Sequence, residues 1–246
     1  APSDARGGQI LADITKDRKI KSVAITYTNN DYGKGLADVY AAAVKAHGIK
    51  VTTSAAHEDG KADYSSEVAT LASAGGDAVA VIGYLDQGGK GIIQGSLDSG
   101  AFDTFILSDG MIGDSLTEAF GKDLNKSFGS MPGSTGKGAG VFTKVASAAS
   151  IDSSGPYTGE SYDAAALIVL AIQAGNSANR ASIAKNIMGV ANAPGTKIYP
   201  GQLKKGLDLL AKGKKIDYEG ATGVIFTSVG EAEGSFLEKE IKGGKF

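Results

Sequence analysis

Three side chains with chemical potential sit where an apolar run gives way to a polar loop. Tyr32 follows Val23-Ala24-Ile25, within Tyr27-Thr28-Asn29-Asn30-Asp31-Tyr32-Gly33-Lys34-Gly35-Leu36. Tyr84 follows Val81-Ile82-Gly83, and Asp109 follows Phe105-Ile106-Leu107-Ser108 and precedes Gly110. Such positions are the carboxyl ends of buried strands, the edge at which open α/β sheets build ligand crevices. A carboxylate there can face a cationic group, and tyrosines can wall a crevice. Each also has a plainer reading. A short acidic side chain often caps a turn or helix, and a tyrosine often packs its ring with the hydroxyl at the surface. Three equivalent edges carrying Tyr, Tyr and Asp form a pattern.

Common catalytic signatures are absent. Gly133-Ser134-Thr135-Gly136-Lys137-Gly138 has the look of a phosphate loop, but Met131 stands where its first glycine is needed and Gly138 replaces the hydroxyl residue. No serine has glycines at the spacing of a nucleophile elbow, and no G-x-G-x-x-G follows the first apolar run. The two histidines, His47 at a helix end and His57 in a loop, have no acidic partner at metal-ligand spacing. Both are expected at the surface. With no cysteine there is no disulfide, thiolate metal site or cysteine nucleophile. No cofactor is implied.

The elements that must position these residues are legible in the first half. Val23–Tyr27, Lys50–Ser54, Ala78–Gly83 and Thr104–Leu107 are short apolar or β-branched runs of strand length. Amphipathic segments separate them at Gly35–Ala46, Ser65–Ala74 and Gly88–Ser99. Runs that are apolar without alternation suit strands covered on both faces, so the pattern predicts a parallel sheet flanked by helices. Ser3 or Asp4 can cap an opening helix, and Asp63 can cap the one that begins near Tyr64, with Glu67 in its first turn. Gly48, Gly75-Gly76 and Gly100 follow helix ends.

The second half changes character. Gly129–Gly140 is rich in Gly, Ser and Pro and reads as a boundary, and Ile151–Pro156 reads as a loop. Tyr157–Asn176 contains a strongly apolar helix through Ala164–Ala174, and Arg180–Val190 is a second amphipathic helix. Tyr218–Thr227 and Ser235–Ile241 read as strands joined by the polar turn Gly230–Gly234. At 246 residues, 42% of them apolar, the chain can bury one large core or two smaller ones. A formal charge of -2 leaves no basic footprint for nucleic acid, and no 18-residue apolar stretch could span a bilayer.

The order Ala1-Pro2-Ser3-Asp4, Asn30-Asp31-Tyr32-Gly33-x-Gly35, Gly83-Tyr84, Ser108-Asp109-Gly110 and Ser161-Tyr162-Asp163-Ala164 resembles the branched-chain amino-acid-binding proteins of ABC importers, the leucine/isoleucine/valine-binding group. No single motif is decisive, but the five together are specific, and the similarity spans nearly the whole chain. The resemblance implies a type I periplasmic-binding-protein fold: two Rossmann-like α/β lobes, each a parallel sheet with helices on both faces, joined by crossover strands. It implies that residues 1–130 form the second lobe, 131–234 the returning part of the first, and 235–246 a last strand back in the second. By the same comparison the chain begins at the first crossover, without the segment that builds most of the first lobe.

Site residues follow from the resemblance one at a time. Tyr32 matches an aromatic that packs over the bound amino acid, and Asp109 matches the acid that pairs with its ammonium group. Tyr162 matches a first-lobe aromatic near the ligand side chain. Tyr84 matches a second-lobe crevice residue, a place Leu85 could also take. The implied function is a solute-binding protein that captures an amino acid by hinge closure and delivers it to an ABC permease, outside the cytoplasm and without inserting in the membrane. A branched aliphatic, small neutral or amide-type ligand fits this scaffold. A sensory domain of the same fold is the alternative, and an α/β enzyme using Asp109 as a base a remote one, since no second convergent acid, base or metal site supports it.

Overall fold

The computed structural model describes residues 1–246. Two compact units emerge, one of Asp4–Met131 with Phe236–Phe246 and one of Ala1–Ser3 with Pro132–Ser235, so the chain passes between them three times.

In the larger unit strand and helix alternate as the apolar runs require. The order is α1 (Asp4–Asp17), β1 (Ser22–Thr28), α2 (Asp31–Ala46), β2 (Lys50–His57), α3 (Ser65–Ala74), β3 (Ala78–Ile82), α4 (Lys90–Asp98), β4 (Phe105–Leu107), α5 (Asp114–Phe120) and β5 (Phe128–Pro132). The strands β2-β1-β3-β4-β5 form a sheet that β8 (Phe236–Glu240) joins at the edge beside β5. The pairs β1 with β2, β1 with β3, β3 with β4 and β4 with β5 are all parallel.

Alternate residues of each central strand go to opposite faces. Val23, Ile25, Ala78, Ala80 and Ile82 meet Leu11 of α1 and Leu36, Tyr40 and Val44 of α2. Ala24, Val79, Val81 and Phe105 meet Leu71 of α3 and Ile92 and Ile93 of α4. All five residues of β3 are buried, which is why its sequence runs apolar without alternation. Each large aliphatic side chain so buried contributes about 1.5–3 kcal/mol. The chain leaves β1 for β2 on one side and returns to β3 on the other, so the strand order reverses between β1 and β3. Ligand crevices of open α/β sheets form at such a point.

The Ala1–Ser3 and Pro132–Ser235 unit contains α6 (Lys137–Ala148), α7 (Thr158–Gly175), α8 (Arg180–Ala191), β6 (Thr196–Ile198), α9 (Leu203–Ala211) and β7 (Ile216–Tyr218). β6 pairs parallel with β7. Leu167, Leu170 and Ala171 of α7 pack with Val190, Ile198, Ile216 and Tyr218.

Three local expectations are corrected. His57 is buried, 1% exposed, because β2 runs on past Ser54 and carries it under neighbouring loops. The Gly129–Gly140 stretch opens with a strand, β5, whose five residues are all buried. Its glycine is a packing requirement, since a Cβ on Gly129 would lie 2.2 Å from the Leu107 carbonyl oxygen. Of Tyr218–Thr227 only Tyr218 belongs to a strand, and it ends β7. Gly220 and Gly223 then turn the chain with positive φ, and only an isolated antiparallel bridge, Phe226 with Ala232, flanks Gly230.

Candidate functional site

The site is built on the carboxyl ends of β1, β3 and β4. After β1, Asn30 caps α2 by accepting from the Gly33 amide at 2.8 Å, which fixes the loop and sets Tyr32 in the first turn. Gly33 is obligatory there, because a Cβ would stand 2.2 Å from the Thr28 carbonyl oxygen. After β3 the chain makes a π-turn, Leu85–Gly89, with Tyr84 as its leading residue. After β4 a 3-10 turn, Asp109–Met111, presents Asp109. Gly110 lets that turn approach β3: a Cβ would be 2.3 Å from the Gly83 carbonyl oxygen.

These edges converge. The Tyr32 hydroxyl lies 2.6 Å from Asp109 Oδ1 and 3.1 Å from Ser108 Oγ. The Tyr32 and Tyr84 rings stack with centroids 5.3 Å apart and planes at 28°. Ser108, itself buried, also accepts from the Gly83 amide at 3.3 Å, tying β4 to the start of the Tyr84 turn. Tyr32, Tyr84 and Asp109 are all half-buried. Leu85 packs against the cluster containing Met111 and Ile112, while Tyr84 is the one that joins Tyr32.

Asp4, at the start of α1, extends the group. Partial loss of hydration, and then the charge of Asp109, hold its carboxyl above the usual aspartate range. Two carboxylates within each other's field make a locus that favours a cation. An ionised carboxylate accepts several donors at once, so Asp109 can hold a phenol and an ammonium group together. No group of three or more His, Asp or Glu side chains is placed to hold a metal ion.

Tyr162 lies in the other unit, on α7. Its hydroxyl accepts from the Gly201 amide at 2.9 Å, and its ring tilts against Phe142 with centroids 5.2 Å apart. The structure thus gathers Tyr32, Tyr84 and Asp109 in one unit and gives Tyr162 to the other.

Next to Tyr162, Asp163 is 2% exposed and anchors the turn after β7. Its carboxylate accepts from the Tyr218 hydroxyl at 2.9 Å, the Ala221 and Thr222 amides at 2.7 and 2.8 Å, and the Thr222 hydroxyl at 2.7 Å. Burial, and then the Asp163 charge, push the Tyr218 phenol far above its ordinary value. The sequence does not single out Ser108, Asp4 or Asp163 as candidate site residues. Ser108, Asp4 and Asp163 each stand inside a motif that carries the resemblance, and Asp4 is also a candidate helix cap.

Comparison with known proteins finds binding proteins. A family described as "Periplasmic binding protein" matches residues 2–206. The Leu/Ile/Val-binding protein homolog 3 of Brucella melitensis is 37% identical over 87 residues, 35% of this chain and 24% of that protein. The chemotactic signal transduction system substrate-binding protein BasB of Halobacterium salinarum is 26% identical over 229 residues, 91% of this chain and 53% of the relative. Among solved structures, the leucine-binding protein LivK of Thermotoga maritima superposes with a TM-score of 0.76 at 20% identity, covering 98% of this chain and 63% of its own. The branched-chain amino acid transporter substrate-binding protein LivJ of Streptococcus pneumoniae, solved with isoleucine, gives 0.74 at 18% identity, covering 99% and 63%. The chain therefore spans about half the length of BasB and under two thirds of these solved chains.

Proposed function

The chain belongs to the periplasmic binding protein family, and we propose that it serves as the substrate-binding component of an ABC importer for an aliphatic, branched-chain type amino acid. The family is one of binding proteins, and its name carries an extracytoplasmic location. No helix is long and apolar enough to cross a membrane.

The observation that carries the reading is the Tyr32, Tyr84 and Asp109 cluster at the reversal of strand order. In the proposal Asp109 pairs with the ligand ammonium, and the stacked tyrosines exclude water from that pair and pack on the ligand. A desolvated cation needs a charged partner, and such bonds are about twice as strong as neutral ones. The names of the Brucella, Thermotoga and Streptococcus relatives support an aliphatic amino acid as the ligand class. The proposal keeps Tyr162 as a further ligand-side aromatic, treats the two units as parts of two lobes, and includes capture by hinge closure and delivery to a membrane permease.

BasB favours a second reading, because it aligns over 91% of this chain and its name joins substrate binding to chemotactic signalling. On that reading the same site would report to a signalling partner.

A thermal-shift screen of the twenty amino acids against the purified chain tests the ligand class. Stabilisation by leucine, isoleucine, valine or alanine, growing with ligand concentration, is expected. Stabilisation confined to charged or aromatic amino acids would overturn the aliphatic assignment.

A further inference from the structure

Two buried side-chain polar atoms, His57 Nε2 and Thr28 Oγ1, have no protein hydrogen-bond partner. They are neighbours, since Thr28 and His57 pair across β1 and β2. Both residues are 1% exposed. A Cβ built on Gly83 would lie 3.2 Å from His57 Nε2 and 3.6 Å from Thr28 Cβ, so both side chains crowd the backbone one residue before Tyr84. Thr28 also presses on Gly33, one residue after Tyr32, through its carbonyl oxygen and Cγ2. The pair thus packs against the backbone next to both tyrosines, at Gly83 before Tyr84 and at Gly33 after Tyr32.

A roof closes over the imidazole. A Cβ on Gly88 of the π-turn would be 3.2 Å from His57 Cδ2. The Tyr64 ring meets His57 edge-on, with centroids 6.2 Å apart and planes at 82°. The Tyr64 hydroxyl lies 3.0 Å from the Glu58 carbonyl oxygen and 2.9 Å from that of Gln87, linking the loop after β2 to the π-turn. The Gly60 amide adds a bond to the Gln87 carbonyl at 2.5 Å.

On the far side, His57 Nδ1 is 2.8 Å from Thr26 Oγ1. Whichever of the two donates, Nε2 faces Gly83 with no protein partner. Neutral imidazole bears this at the cost of one unmade bond, whereas imidazolium would bury a charged N–H with no acceptor.

We propose that His57 is a proton-sensitive positioning residue for the tyrosine wall: neutral, it supports Gly83, Gly88 and the turn that holds Tyr84 against Tyr32, and protonated it forces the Leu85–Gly89 turn to open and loosens the stack.

The surrounding charges do not reverse this. Glu58 and Asp59 on the loop and Glu67 on α3 favour the proton, but burial outweighs them and holds the His57 pKa below its ordinary value. Glu67 is paired with Lys61 at 2.5 Å, Glu58 is turned to the Asn29 amide nitrogen at 2.6 Å, and Asp86 of the π-turn is paired with Lys90 at 2.7 Å. A histidine whose pKa is lower when enclosed leaves the closed form fully stable above about pH 6.5, the ordinary value, and weakens it as the pH falls below that.

The test is NMR on the whole chain with labelled histidine and tyrosine side chains, titrated from pH 7.5 to 5.0. Tyr32→Phe and Tyr84→Phe assign the two rings. The expected result is that His57 titrates below the ordinary histidine value, and that the Tyr32 and Tyr84 signals move with the His57 midpoint. In His57→Gln both tyrosines should stay fixed across the range. The proposal is overturned if the tyrosines stay fixed while wild-type His57 titrates, if they still move in His57→Gln, or if His57 titrates at or above the ordinary histidine value. If His57→Gln does not fold, the wild-type midpoints decide alone.

The consequence for binding rests on the amino-acid reading above. Leucine affinity should fall as the pH is lowered over this range, and stay level in His57→Gln. Leucine that binds at no pH would count against that reading, while the tyrosine signals would still decide the present one.

Discussion

The Tyr32 hydroxyl and the Asp109 carboxylate meet at 2.6 Å although 77 residues separate them in sequence. One follows β1 and the other β4, and the sheet brings both ends to one edge. The bond orients the acid and the ring together, as the proposed site requires.

Replacing Asp109 with asparagine keeps the shape and removes the charge. A hydrogen bond to a charged group contributes about 1.5–3 kcal/mol, so leucine affinity should fall about 10- to 150-fold by calorimetric titration. Unchanged affinity would remove Asp109 from the site.

Tyr32→Phe and Tyr32→Ala separate hydroxyl from ring. Phenylalanine keeps the stack on Tyr84 and loses the bond to Asp109, costing about 0.5–1.5 kcal/mol of binding. Alanine also loses the ring contact, adding about 0.5–1.5 kcal/mol beyond the lost area. Equal affinities for the two variants would show that the ring contributes nothing.

Gly110→Ala tests the close approach of the Asp109 turn to β3. Its Cβ would meet backbone oxygen at 2.3 Å, and the strand end must shift. Urea unfolding should show a loss of about 1–3 kcal/mol, the usual cost of forcing extra atoms into a packed site.

Asp163→Asn strikes the other unit. Asparagine offers one acceptor oxygen and turns an amide toward groups that donate, leaving buried donors unmet. A stability loss of about 2 kcal/mol or more is expected from chemical denaturation.

Acid should weaken the hold of α1 on β8. Arg18 of the α1 end bonds Glu238 at 2.5 Å and Glu240 at 2.6 Å. The Arg18 bond first, and then Lys242, hold the Glu240 carboxyl down at about 2, from an ordinary value of 4.5. The folded pKa is depressed, so this stabilisation is complete above pH 4.5 and is lost as the pH falls from there toward 2. Melting curves of Glu240→Gln should show a weaker pH dependence in that window than those of the wild type.

The sequence was legible where burial dictates composition. β3 is enclosed on both faces and reads Ala-Val-Ala-Val-Ile, and the left-handed residues Gly48, Gly75 and Gly100 fall at helix ends as expected. It was opaque where a long-range contact gives a residue its meaning. Gly129 and Pro132 look like loop residues until Leu107 is seen against the glycine. His57 looks like a solvated loop residue until the π-turn and Tyr64 cover it. Tyr32, Tyr84 and Asp109 were legible because the strand ends that carry them are local signals. Asp4 was not, because its relation to Asp109 crosses more than a hundred residues.

The central claim is that the Tyr32 and Asp109 edge recognises the ammonium group of an aliphatic amino acid. Isothermal titration of the chain with L-leucine and, separately, with 4-methylpentanoate, which has the same side chain and carboxylate but no ammonium, tests it most directly. The account predicts saturable binding of leucine, at least tenfold weaker or no binding of the deaminated acid, and loss of that difference in Asp109→Ala. Equal affinity for the two compounds, or no saturable binding of leucine, would contradict it.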